Sequence, residues 1–93
     1  MIRIQRIHPT LSDKYKYGVD MGEKELMNDP AAAYGIFVDG KLKKWGESRH
    51  VKGRMSDYRS HKKGVNNDYF IREKIREALS RDIPVYIELY IFS

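Results

Sequence analysis

The 93-residue chain contains no cysteine, which excludes disulfides and cysteine-based zinc centres. Its three histidines, His8, His50 and His61, are scattered without the spacing of metal ligands, so any metal would be held by oxygen. Long hydrophobic runs are missing as well. The amino terminus MIRIQRIHPT has no apolar stretch of the kind a secretory leader needs, and nothing approaches the roughly 20 apolar residues that span a bilayer. The expectation is a soluble, cytoplasmic protein with no membrane partner. There is no low-complexity segment and no repeat; the echo of YGVD (17–20) in YGIFVD (34–39) is treated as chance.

What the chain has in excess is positive charge. Eighteen Lys and Arg against thirteen Asp and Glu give a formal charge of +5 and a pI near 9.5, a balance that favours an anionic partner such as nucleic acid. Ninety-three residues suffice for one domain with one modest core.

Periodicity and turn residues place the elements. IRIQRI (2–7) alternates Ile2 and Ile4 and reads as a short strand, broken by Pro9, Thr10, Ser12 and Asp13. DMGEKELMNDP (20–30) has room for one or two helical turns around Leu26 and Met27, stopped by Pro30. Tyr34 to Val38 and Leu42 to Trp45 flank Asp39-Gly40, a strong hairpin signal because both turn residues tolerate positive φ. Val51, Met55 and Tyr58 recur at helical spacing and predict a helix from about Val51 to Lys63, ending near Gly64. Asn66, Asn67 and Asp68 are N-cap candidates for a second helix. Its apolar stripe is Ile71, Ile75, Ala78 and Leu79, with Arg72, Glu73, Arg76 and Glu77 opposite. After Pro84 a strand runs from Val85 to Phe92, with Val85, Ile87, Leu89 and Ile91 on one face and Tyr86, Glu88, Tyr90 and Phe92 on the other. Both faces look covered, which predicts a central or sandwiched strand. The expected class is α+β: a small antiparallel three-stranded sheet, with a fourth, amino-terminal strand as an option, flanked by helices. Residues 1–33 read as an extension and 34–93 as the core of what is effectively a single domain.

One constellation in this frame is more specific. Tyr34, Lys44, Trp45, Gly46, Arg54 and Tyr58 are spaced as Y-x9-K-W-G-x7-R-x3-Y. The pattern resembles the core of the GIY-YIG nuclease family, in which a first strand bears a catalytic tyrosine and a second ends in an aromatic-x-Gly motif. A following helix there carries an arginine, then His or Tyr one turn later. The steps from Gly46 to Arg54 and from Arg54 to Tyr58 match without insertion, and Tyr69 to Phe92 lie where the family has its second helix and third strand. The likeness covers Tyr34 to Phe92. The literal triplet GIF, Gly35 to Phe37, puts a phenylalanine where a phenol is needed, so Tyr34 is the counterpart taken. Lys44 stands in for the second tyrosine, as in the K-x-G restriction-enzyme branch. The family's metal-binding glutamate stands on a third helix after the third strand, and no residue here matches it. Candidate sources are Glu88 on the last strand, Glu23 or Glu25 upstream, or a second subunit.

The resemblance implies a metal-dependent DNA endonuclease. Phosphodiester hydrolysis needs a deprotonated water and neutralisation of the phosphate as charge builds on it. Tyr34 is then the general base or relay. A phenol of ordinary pKa, about 10, needs a cationic neighbour such as Lys44 or the metal to act near neutrality. Arg54 stabilises the phosphate through its planar fork, and Tyr58, one turn later, bonds the phosphate or orients Tyr34. One divalent ion, Mg²⁺ or alternatively Mn²⁺, completes the leaving-group side. Lys41, Lys43, Arg49, Lys52, Arg59, Lys62 and Lys63 form the expected DNA-backbone footprint; His50 and His61 could contact phosphate but are not counted in it. Turn geometry tests the assignment. A three-residue turn, Asp39 to Lys41, puts Tyr34, Ile36 and Lys44 on one face, whereas a two-residue turn puts Tyr34 and Lys44 on opposite faces.

Each residue also has a plainer reading. Tyr34 is a half-buried strand residue, Lys44 an edge charge, Arg54 a surface partner of Asp57, Tyr58 a neighbour of Met55, Trp45 a core residue and Gly46 a tight strand exit. Glu73 and Glu77 read as solvated helix charges paired with arginines. The rival function is a catalytically inactive nucleic-acid-binding or regulatory protein on the same scaffold, and a third is a protein-interaction module. DNA is the expected partner, with a second copy of the chain as a further candidate.

Overall fold

The computed structural model describes residues 1–60 and 67–92. Its centre is a hairpin of two strands, β4 (Ala32–Val38) and β5 (Lys41–Ser48), preceded by β1 (Ile2–Ile7), β2 (Thr10–Leu11) and β3 (Val19–Asp20). Asp39 and Gly40 both have positive φ, 53° and 75°, the backbone that lets two residues close a hairpin without splaying it. Val38 pairs with Lys41, so the turn has two residues and not three. The register nevertheless shifts between Phe37, opposite Leu42, and Ile36, opposite Lys44. This bulge leaves Lys43 as the extra residue and undoes the consequence of the shorter turn. Tyr34, opposite Gly46, and Ile36, opposite Lys44, therefore share a face with Lys44.

The last strand, β6 (Val85–Phe92), lies between β1 and β4 in a four-stranded antiparallel sheet of order β1-β6-β4-β5. It is central, as its pattern predicts, but covered on one face only. Val85, Ile87, Leu89 and Ile91 are buried under the helices, while Tyr86, Glu88 and Tyr90 are half-buried and Phe92 exposed on the open side. β2 and β3 form a separate two-stranded sheet. A 3-10 turn at Glu23–Glu25 replaces the helical turns expected around Leu26 and Met27; Leu26 is buried and Met27 exposed.

Helix α1 (Val51–Ser60) buries Val51, Met55 and Tyr58, and α2 (Asn67–Ser80) buries Ile71, Ile75 and Ala78. The predicted continuation of the first helix to Lys63, its Gly64 end and the Asn66 cap lie outside the described residues. Arg72 departs from its expected solvated position. It is buried, with its guanidinium 4.1 Å from the centre of the Tyr17 ring, because the amino-terminal segment covers that side of α2. The start of α1 is also set from a distance. The Val51 N–H donates to the Pro30 carbonyl (3.0 Å), and the Lys52 and Gly53 N–H groups donate to Asp29 Oδ1 (2.7 and 3.4 Å). Asp29 thus caps amides that the helix itself cannot satisfy. Ile7, Val19, Met21 and Leu26 join Tyr34, Ile36, Met55, Tyr58, Ile75, Ile87 and Leu89 in one core cluster, so residues 1–33 are built into the core and not appended to it.

Candidate active site

Tyr34 stands on the helix-side face of β4, and its ring lies across β5 at Gly46. A Cβ at position 46 would come within 2.6 Å of the Tyr34 Oη. Gly46 is therefore the floor on which the phenol rests; a glycine inside a strand marks such an approach. This is more than the strand exit expected of it.

From α1, Tyr58 meets Tyr34 edge-on, with ring centres 6.1 Å apart and the two hydroxyls 2.9 Å apart. One turn earlier on the same helix, Arg54 lays its guanidinium 4.3 Å from the centre of the Tyr58 ring. Its Nη1 and Nη2 donate to Asp68 Oδ2 (2.6 Å) and Oδ1 (2.9 Å) in the first turn of α2. Three elements thus contribute to one continuous line, Tyr34, Tyr58, Arg54 and Asp68. Tyr34 and Tyr58 are 1% and 0% exposed, whereas the Arg54 side chain is 27% exposed and is the member that meets solvent.

The electrostatics follow from burial and pairing. Burial, and then the bond to Tyr34, push the Tyr58 phenol well above its ordinary 10.0, against the lowering effect of Arg54. Tyr58 therefore keeps its proton, and either hydroxyl can donate to the other. The hydrogen bond to Asp68 is the largest influence raising Arg54 above its usual value, so this cation is permanent. Lys44 shares the face of Tyr34, two cross-strand pairs nearer the turn, and is half-buried.

Several expected roles are relocated. Arg54 pairs with Asp68 and not with Asp57. Trp45 is 50% exposed on the open face, where it packs on Tyr90 with ring centres 5.4 Å apart. Strand alternation puts it opposite to Gly46, its neighbour, and hence outside the core. Glu88 is on that open face too. Arg6 bonds it at 3.0 Å and the Tyr90 hydroxyl donates to it; these bonds, Tyr90 first, hold its carboxyl below the usual range. The sheet therefore separates Glu88 from Tyr34. Glu25 accepts from the backbone N–H of His8. Glu23 is buried and paired with Arg59 at 2.9 Å. Arg59 is five residues past Arg54, about 140° around α1, on its other flank. Among the described residues, no three His, Cys, Asp or Glu side chains converge as a metal site.

The basic footprint divides in the same way. Arg59 holds Glu23 and lies over the Tyr15 ring at 4.1 Å, and Lys52 Nζ donates to the Leu26 carbonyl at 3.0 Å; both fasten the amino-terminal segment. Lys41, Lys43 and Arg49 are exposed. His50 lies 3.6 Å from Asp29, and His61, Lys62 and Lys63 are outside the described residues. Glu73 and Glu77 pair with Arg76 and Arg81, as helix charges do. Sequence reasoning missed Asp68 as the partner of Arg54. An acid in the first turn of a helix reads as a capping residue, and only the packing of α2 beside α1 reveals the pair.

No protein-family model matches the chain, and no curated protein matches it in sequence. Among solved structures, a glutamate-to-alanine variant of EndoII from bacteriophage T4, a GIY-YIG nuclease, aligns with a TM-score of 0.66 at 16% identity. The match covers 96% of this chain and 63% of that one. It extends well beyond Tyr34 to Phe92, into the amino-terminal segment. The chain shares with EndoII its α+β, GIY-YIG-like fold.

Proposed function

We propose that the chain is a nuclease that engages a DNA phosphodiester at Arg54, beside the paired tyrosines Tyr34 and Tyr58. The observation that carries this reading is the Tyr34–Tyr58–Arg54 line, assembled from two elements on a fold shared with a GIY-YIG nuclease. Asp68 takes two of the five guanidinium N–H groups, leaving three to face phosphate oxygens. Its carboxylate and the Tyr58 ring fix the plane of the fork, so its charge is in place before phosphate arrives. Tyr34 accepts or relays the proton of the attacking water. For this Tyr34 has first to pass its own proton to solvent; Tyr58, which keeps its proton, donates to the resulting phenolate oxygen until the proton of the water reaches it. Lys41, Lys43 and Arg49 supply salt-sensitive backbone contacts.

GIY-YIG nucleases generally use divalent metals, and the resemblance implies Mg²⁺ or Mn²⁺ here. Among the described residues, the donors on the tyrosine face do not fit such an ion. Both oxygens of Asp68 accept from Arg54, and Glu88 lies across the sheet. This donor set favours a second reading, a protein that binds DNA on the same scaffold without cleaving it.

Supercoiled plasmid incubated with the protein in Mg²⁺, Mn²⁺ or EDTA separates the two. Metal-dependent nicking or linearisation by the wild type, lost in Arg54→Ala, selects the nuclease, with its ion held by donors other than Asp68 and Glu88. Folded protein that shifts the plasmid in a gel and leaves it supercoiled in every condition selects the second reading.

A further inference from the structure

The open face of the sheet plays no part in the tyrosine–arginine line, yet it concentrates apolar surface. Among the described residues, five of the nine exposed large hydrophobic side chains lie on it: Ile2, Ile4, Leu42, Trp45 and Phe92. Phe37 and Tyr86 stack between them with ring centres 5.0 Å apart, and Trp45 leans on Tyr90 over the small residues Ala33 and Gly35 of β4. Scattered apolar residues on a surface are ordinary, whereas a contiguous patch of this kind marks an interaction surface.

We infer that this face pairs with the same face of a second copy of the chain, sheet against sheet about a twofold axis. Charge identifies the occupant. Across a twofold axis like faces like, so an interface built this way cannot carry a patch of one sign at its centre. The charged residues at the paired positions of this face are Arg6, Glu47 and Glu88. Arg6 and Glu88 neutralise one another within the chain at 3.0 Å, and Tyr90 also donates to Glu88. A nucleic acid would instead need exposed cations, and among the described residues the paired positions of this face have none beyond Arg6. Lys41 and Lys44 share the other face with Val38 and Ile36.

Size agrees. Four strands about 4.8 Å apart, six to eight residues long at about 3.3 Å per residue, make a face of roughly 19 by 23 Å. Two such faces present roughly 870 Å² of flat area, at the lower edge of the roughly 1,000 Å² that a specific interface has to clear once the relief of the side chains is added. The alternative of edge-to-edge pairing is blunted at β5, which carries the bulge and three lysines, Lys41, Lys43 and Lys44. Face-to-face pairing also leaves Arg54 of each copy pointing away from the interface, so it is independent of whether the chain cleaves DNA.

Sedimentation equilibrium of the full chain without DNA tests the inference, using wild type, Trp45→Glu, Leu42→Ser and Phe70→Ser. Phe70 is equally exposed but lies on α2, and Leu42→Ser serves if circular dichroism shows Trp45→Glu unfolded. The expected result is a reversible wild-type dimer, weakened at least about tenfold, or 1.4 kcal/mol, by either open-face change and unaffected by Phe70→Ser. A wild type that stays monomeric across the accessible concentrations overturns it. So does association that Phe70→Ser weakens as much as Leu42→Ser, or a monomer whose Trp45 fluorescence is quenched by a single-stranded oligonucleotide.

Discussion

The two faces of the sheet are made by the same four strands, one residue out of phase, yet they behave as different materials. On the helix side, the polar groups of the tyrosine–arginine line meet specific partners, so that moving one member takes a partner from another. On the open side the groups are rings and aliphatic chains whose contacts are interchangeable, with one self-neutralised ion pair. Strand alternation is thus enough to set a candidate chemical site and a docking surface back to back. The difference also predicts where substitutions hurt.

Glycine to alanine gives the sharpest contrast. At Gly46 the added methyl meets the Tyr34 hydroxyl at 2.6 Å and its Cζ at 2.7 Å, in a ring held by the core. At Gly35 it meets the edge of Phe37 at 2.9 Å and a Leu42 methyl at 3.1 Å, on the face that can yield. Gly46→Ala is expected to cost about 3 kcal/mol and Gly35→Ala about 1 kcal/mol in urea unfolding. Equal costs would break the comparison. Next in size is Asp68→Ala, which leaves Arg54 partly buried without its carboxylate and is expected to cost about 2 kcal/mol, with Asp68→Asn costing less.

The alkaline limb of stability sharpens the same point. The Tyr58 phenol is raised in the folded state, so above about pH 10 the unfolded chain releases a proton that the folded chain retains. Its contribution is complete below the unfolded pKa and is lost as pH rises toward the folded value. Tyr58→Phe should flatten that loss, as read from urea midpoints between about pH 8 and about pH 11, a range that spans a phenol's ordinary pKa. The smallest effect belongs to the open face. In protein dilute enough to be monomeric, Trp45→Ser should change stability by no more than about 0.5 kcal/mol.

Much of this was legible from the chain. The β4–β5 hairpin, the second helix and the last strand follow from Asp39-Gly40 and from clean periods of 3.6 and 2, and the same periods give the order of the elements. The spacing of Arg54 and Tyr58 puts them one turn apart on one helix, so their stacking needs no long-range information. The register of Lys44 was reached by the wrong turn. A bulge at Lys43 is a property of paired strands, and neither strand shows it alone. Arg72 reads as solvated on its own helix because the segment that buries it lies some fifty residues earlier, at Tyr17. The first thirty residues were the least readable part. Their strands are short, and they gain their structure from partners as far away as Glu88, 82 positions after Arg6.

The measurement that tests the central claim most directly is the cleavage rate of a DNA duplex by wild type and Arg54→Lys, with binding measured on the same samples. Lysine keeps the charge but loses the fork, its plane and its fit to Asp68. If Arg54 holds the phosphate in the transition state, cleavage falls about 100-fold while DNA affinity stays nearly unchanged. Cleavage by Arg54→Lys at the wild-type rate, or binding by the wild type with no cleavage, would contradict the account.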